Sequence, residues 1–254
     1  MARIAVFDSG LGSLSIIKEI QKISKNEIIY FADQQNYPYG KKSQAQLSTI
    51  IKKTINLLNE KFMPDIIVIA SNTPSLMLNL SSNKIIDVKP PLKLAIKKSE
   101  SKQIGILATR SAINSKGLVN YIKENNIPES YKIFKINGSN LVDLVESGKF
   151  LNEKIYCKKI IKKSLEKTIS LKNIDTITLS STHLSFLKIL LRKEFPQIQF
   201  IDPGSIVAQN IFLKIKNNQS KKNSLKIFTS SDVINFKNKL NKIGIKNKVN
   251  FLAT

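Results

Sequence analysis

The sequence predicts an α/β protein made of two pseudo-symmetric, doubly wound parallel-sheet domains facing each other across a cleft. Three observations carry that prediction. Short apolar runs alternate with longer amphipathic stretches along the whole chain, the pattern of strands that return through helices into a parallel sheet. The chain also resembles itself: RIAVFDSGLGS from Arg3 aligns with QIGILATRSAI from Gln103 at an offset of 100, and IVIASNT from Ile67 with ITLSSTH from Ile177 at an offset of 110. No low-complexity linker divides the halves, and the softest point is KPPLK, residues 89 to 93, where adjacent prolines stop a helix or strand from running through.

Strands are expected at RIAVFD, EIIYFAD, DIIVIAS, KIIDV, QIGILAT, YKIFKIN, DTITLSS, IQFID and SLKIFTS, with VNFLAT last. Helices are expected between them, over residues 13–24, 43–62, 73–82, 111–126, 152–170, 182–194, 205–216 and 232–243. In both halves a first strand is followed by another that ends in hydroxyl residues, which places Ser71 and Ser181 in equivalent positions on opposite walls of the predicted cleft. Ligands of such sheets sit outside the carboxyl ends of the strands, where those residues fall.

With 254 residues and 42% hydrophobic content the chain is long enough to bury a full core. No run of about 18 uncharged apolar residues occurs, and MARIAVFDSG enters a strand pattern at once, so a soluble, cytoplasmic protein is expected. The single cysteine, Cys157, lies on a helical pattern and is read as a packing residue; it allows no internal disulfide and no cysteine-based metal cluster. The chain carries 41 basic and 18 acidic residues, a net +23. Only Arg3, Arg110 and Arg192 are arginine, and the lysines are spread along the chain, which argues against sequence-specific nucleic-acid reading and for salt-sensitive, non-specific adhesion to polyanions.

Three stretches carry candidate chemistry. FDSGLGSLS, residues 7 to 15, ends a strand in Asp8 and opens a helix after Gly10 and Gly12. The third position of a G-x-G-x-x-G motif is Ser15, and Asp8 would repel a pyrophosphate, so a dinucleotide site is not expected. Asp8 and Ser9 either project toward a small ligand or simply cap the helix. NYPYGKKS, residues 36 to 43, is a loop in which Tyr39 and Gly40 could reach a neighbouring site. SNTPS, residues 71 to 75, and SSTHLS, residues 180 to 185, each place a hydroxyl at a strand end, and the second adds His183, the only histidine. No G-x-S-x-G elbow surrounds either serine, and one histidine provides no metal-site spacing. Capping residues beside a half-buried histidine remain the plain alternative.

Taken as a set, these motifs resemble the glutamate racemases of the cofactor-independent aspartate/glutamate racemase superfamily over essentially the whole chain. The resemblance lies in IAVFDSGLGSLSIIKEI, YFADQQNYPYGKKS, IVIASNTPS, IGILATRSAINS, LVDLVESG, LSSTHLSFLK and IDPGSIVAQN, and FTSSDVINFKNKL followed by VNFL is similar to the family's closing helix and strand. It implies one lobe of residues 1–93 with 206–254, a second lobe of 94–205, and an active site between them. It further implies interconversion of L- and D-glutamate, supplying D-glutamate for peptidoglycan, with no cofactor and no metal. Matching positions imply that Asp8, Ser9, Tyr39, Gly40, Asn72, Thr73, Thr182 and His183 hold the substrate, and that Asp8, Glu146 and His183 assist the catalytic pair.

That pair is where the chain departs from the family. Family members have cysteine where this chain has Ser71 and Ser181, and the two thiols remove and return the α-proton from opposite faces. Smaller departures are Lys89-Pro90, where the family has an acidic residue before proline, and Asn137-Gly138, where it has Cys-Pro. An alkyl alcohol is several units less acidic than a thiol near pKa 8.5, and each unit costs about 1.4 kcal/mol in forming the base. Three readings stay open: a racemase using Ser71 and Ser181 or their neighbours, a silent amino-acid binder, and an interaction protein acting through its basic surface. The expected partner is glutamate or a related dicarboxylate, with no membrane and no specific nucleic acid, and a second copy of the chain is left open.

Overall fold

The structure is a computed structural model that describes residues 2–78, 80, 82–215 and 220–254. It divides into two compact units, Met1–Val88 with Gly204–Thr254, and Lys89–Pro203.

The first unit opens with β1 (Arg3–Asp8), α1 (Ser13–Ile23), β2 (Glu27–Ala32), α2 (Gln44–Phe62), β3 (Ile66–Ile69), α3 (Asn72–Met77) and β4 (Ile85–Asp87). The second runs through α4 (Leu92–Lys98), β5 (Gln103–Ala108), α5 (Arg110–Ile113), α6 (Lys116–Glu124), β6 (Lys132–Asn137), α7 (Ser139–Glu146), α8 (Lys149–Asn152), α9 (Lys154–Lys172), β7 (Thr176–Leu179), α10 (Lys188–Glu194) and β8 (Gln199–Ile201). The chain then returns to the first unit with α11 (Gly204–Ile215), β9 (Ser224–Thr229), α12 (Val233–Lys242) and β10 (Val249–Phe251). Among the described residues no helix is long and apolar enough to cross a membrane.

All ten expected strands form, and every pairing is parallel. The sheet of the first unit has the order β10-β9-β2-β1-β3-β4, and that of the second β6-β5-β7-β8. Removing β9 and β10 from the first leaves the same order as the second, and the register agrees as well. Ile4 pairs with Ile66 and Ile104 with Thr176, so the offsets of 100 and 110 seen in the sequence hold residue for residue. At the start of β3, Asp65 accepts a hydrogen bond from the Arg3 backbone N–H at 2.7 Å. Its equivalent Asp175 accepts from Glu100 N and Ser101 N at 2.7 Å and from Ser99 Oγ at 2.6 Å.

The central strands are buried on both faces, as in parallel sheets covered by helices. Crossover helices supply the cover. In α2, Leu47, Ile51, Ile55 and Leu58 are buried; in α9, Cys157, Ile161, Leu165 and Ile169 are. Each of these leucines and isoleucines contributes about 1.5–3 kcal/mol of hydrophobic stabilisation when fully buried. Cys157 is thus a core residue, equivalent in the repeat to Leu47. At the other end of β2, buried Glu27 accepts from Arg3 Nε at 2.8 Å and Lys226 Nζ at 2.7 Å, tying β1, β2 and β9 together.

The helices depart from expectation in four places. The stretch 73–82 is helical only over α3, and Leu78 is already extended; polar turn formers follow, with residues 79 and 81 outside the described residues. Residue 216, expected to close the helix 205–216, also lies outside them. The stretch 111–126 is two helices, because Ser115 Oγ accepts from Leu118 N and starts a new N-terminus after the one capped by Thr109. The stretch 182–194 begins as a 3-10 segment, Thr182–Leu187, and becomes α-helical only at Lys188. Finally, α4, α7 and α8 were not anticipated. The KPPLK prolines do interrupt the chain, but Pro91 directly precedes α4, where a missing N–H costs nothing. Between Gly138 and Gly148, α7 is too short for a clear period, yet it buries Leu141, Val142, Leu144 and Val145.

Candidate active site

In the first unit β1 carries Asp8 to the carboxyl edge of the sheet, where it is buried and accepts from Ser9 N at 2.6 Å. The neighbouring β3 ends at Ile69, one residue before Ala70, whose N–H donates to Phe7 O at 2.8 Å. Ser71 follows in extended conformation, φ −142° and ψ 124°, and Asn72 and Thr73 begin α3. Asp8, Ser9, Ser71, Asn72 and Thr73 are therefore brought together on adjacent strand ends by the register of β1 and β3.

The same construction recurs in the second unit. Ser180 N donates to Leu107 O at 2.8 Å, and Ser181 is extended at φ −149° and ψ 131°. Thr182 and His183 then stand where Asn72 and Thr73 stand in the first unit. Neither the Ser71 nor the Ser181 hydroxyl makes a hydrogen bond among the described residues, and neither caps its helix. Both are nearly buried, so each presents a rotatable donor and acceptor to whatever occupies its strand end.

What surrounds the two serines differs. His183 Nε2 lies 2.7 Å from Glu146 Oε1, both side chains buried, with Glu146 delivered by the end of α7. A separation of 37 positions hides this pair in the sequence. In the first unit Asn72 is 3% exposed, and neither atom of its amide has a hydrogen-bond partner among the described residues. A buried unsatisfied amide costs about 1–3 kcal/mol, and groups of this kind call for a partner or a function.

Tyr39 and Gly40 lie in a loop held by a buried carboxylate, Asp33. Tyr39 is buried and its hydroxyl donates to Asp33 Oδ2 at 2.9 Å. Asp33 also accepts from Asn36 Nδ2 and, at 3.1 Å, from Ser230 Oγ, while its own N–H donates to Asp8 O at 2.8 Å. Burial raises the Asp33 carboxyl above its ordinary range, against the pull of those donors. Burial first, then the charges of Asp33 and Asp8, pushes the Tyr39 phenol well up, so it stays a donor. This cluster fixes the loop that carries Gly40 in the turn Tyr39–Lys41. Asp33 was missed in the sequence, although it gives the same signal as Asp8: an acidic residue closing an apolar strand. Among the described residues no group of three or more His, Cys, Asp or Glu side chains could hold a metal ion.

Two parallel sheets that share a register, each followed by a hydroxyl at the same place, define a duplicated α/β protein with a polar strand end in each unit. No protein-family model matches the chain. A glutamate racemase of Buchnera aphidicola subsp. Schizaphis graminum is 34% identical over 227 residues, 87% of this chain and 88% of the relative. Among solved structures, glutamate racemase RacE1 of Bacillus anthracis superposes with a TM-score of 0.83 at 22% identity, covering 100% of this chain and 97% of that one. The glutamate racemase of Francisella tularensis, solved with D-glutamate, superposes with a TM-score of 0.82 at 23% identity, covering 99% and 97%. The chain belongs to the glutamate racemase family.

Proposed function

We propose that this protein binds glutamate, or a close dicarboxylic relative, at the strand ends bearing Ser71 and Ser181, and that it does not racemise it efficiently. The observation that carries the reading is the buried, unpartnered amide of Asn72 beside Ser71, a donor and an acceptor poised for a polar ligand. The D-glutamate complex of the Francisella relative supports the choice of ligand. The chemistry at the two serines supports the second half of the proposal. Removing an α-proton calls for a base whose pKa lies near the operating pH, and a serine hydroxyl lies several units above a thiol. The Glu146–His183 pair can hold a charged ligand group at Ser181, and Asp8 brings a carboxylate to the strand end of the first unit.

The test pairs calorimetric titration with proton NMR in heavy water, using L- and D-glutamate. Binding with retention of the α-proton signal is the expected result. Asn72→Ala should weaken binding about tenfold, the worth of roughly one buried hydrogen bond, while leaving thermal stability unchanged or slightly higher, since an unsatisfied group is removed. Rapid loss of the α-proton would show instead that the serines or their neighbours do carry it. Failure of either enantiomer to bind would remove the amino-acid reading.

A further inference from the structure

We propose that the outward face of α9 docks the phosphate backbone of a nucleic acid, without regard to sequence. Tyr156, Lys159, Lys163 and Lys167 follow one another at spacings of three, four and four residues, and so form a single row opposite the buried stripe of the helix. All four are exposed, and none of the three lysines joins an ion pair among the described residues. Along the helix axis the lysines stand about 6 Å apart, a line of positive charge about 12 Å long. Lysines at four-residue spacing repel one another, so the helix carries this row at a cost to its own stability.

The repeat provides an internal control for compositional bias. Helices α2 and α9 are equivalent, each 19 residues long and displaced by 110 in sequence. A general excess of lysine would load both alike. Yet α9 has seven lysines and one glutamate, a net +6, against three lysines and one glutamate in α2, a net +2. The positions equivalent to the lysine row are Thr49, Lys53 and Leu57. A polyanion complements this face, and lysine rather than arginine suits phosphate contact without base reading. Tyr156 at the end of the row holds Lys149 Nζ 4.7 Å from its ring centroid, which sets a further cation beside the row. The apolar stripe of α9 is committed to the core, which disfavours a lipid surface as the occupant.

The experiment is fluorescence anisotropy with a fluorescein-labelled oligothymidylate between about 50 and 200 mM salt. Two triple variants remove the same charge: Lys159→Gln, Lys163→Gln, Lys167→Gln on α9, and Lys52→Gln, Lys53→Gln, Lys61→Gln on α2. The α9 triple is expected to flatten the slope of log K against log salt by about two, which at about 0.1 M salt is roughly a hundredfold weaker binding. Lys163→Gln alone should flatten it by about 0.7, and the α2 triple should change neither quantity. Equal losses in both triples would overturn the proposal, as would no binding by the parent protein, or binding to phosphatidylserine vesicles but not to the oligonucleotide.

Discussion

Helix α2 and strand β2 of the first unit have counterparts, α9 and β6, in the second, and the two pairs are finished in opposite ways. In the first unit β2 lies inside its sheet, covered by β9, and α2 is only mildly basic. In the second, β6 is an edge strand with Lys132 and Lys135 exposed, and α9 is lysine-rich. Meanwhile the backbone at Ser71 and Ser181 agrees to within a few degrees. The duplicated register therefore determines where each strand stops and which residue follows its end. The chemistry is set by substitutions around that point: Asp8 against Ala108, Asp33 against Gly138, Thr73 against His183.

The largest test of the comparison places a thiol in each unit. Ser71→Cys together with Ser181→Cys should raise α-proton exchange of glutamate in heavy water by about 10²–10⁴-fold for each group that regains a matched pKa. Each single variant should exchange the proton of one enantiomer faster than the other, assigning one enantiomer to each serine position. A double variant that stays silent while still binding glutamate would break the functional equivalence of the two strand ends.

A smaller effect separates the opposite ends of the sheets. The hydrogen bond from Lys226, foremost, and those from Arg3 hold the Glu27 carboxyl below its ordinary 4.5 in spite of burial. A carboxyl depressed in the folded state stabilises the protein above its unfolded pKa, and that stabilisation is lost as pH falls through the folded value. Glu27→Gln should accordingly lower the thermal midpoint by a few degrees near neutral pH, with the difference from the parent closing well below 4.5. At the equivalent places the second unit has Gln103 and Lys132, so Lys132→Gln should give a pH profile parallel to the parent's. The smallest effect is expected at Cys157→Ala, about 1 kcal/mol of stability by denaturant unfolding with glutamate binding unchanged. A larger effect on binding than on stability would contradict its role as the counterpart of Leu47.

The strands and their pairing were legible because buried parallel strands are written as unbroken apolar runs, and because RIAVF and QIGIL, or IVIAS and ITLSS, repeat one design. The serines were legible as polar residues closing those runs. Less visible were elements whose formation depends on neighbours. Helix α7 is only Ser139–Glu146, and tertiary packing of its four apolar residues sustains it more than any period in its sequence. The Glu146–His183 contact and the bonds from Tyr39 and Ser230 to Asp33 join residues far apart in the chain, so only the fold reveals them. Tyr39 was legible as a loop hydroxyl, but its bond to the buried Asp33 carboxylate was not.

The return of Gly204–Thr254 to the first unit has a consequence for the order of events on the ribosome. Residues 89–203 are continuous, so the second unit can close as soon as its last strand emerges. The first unit cannot. Strand β2, EIIYFA, buried along its whole length in the finished protein, must wait for Ser224–Thr229 to cover its open side. At synthesis rates of about 5–20 residues per second that wait is about 10–40 seconds. For that interval the nascent chain carries an apolar, unpaired strand edge, the feature most prone to wrong pairing. The half of the molecule made first is therefore the half finished last.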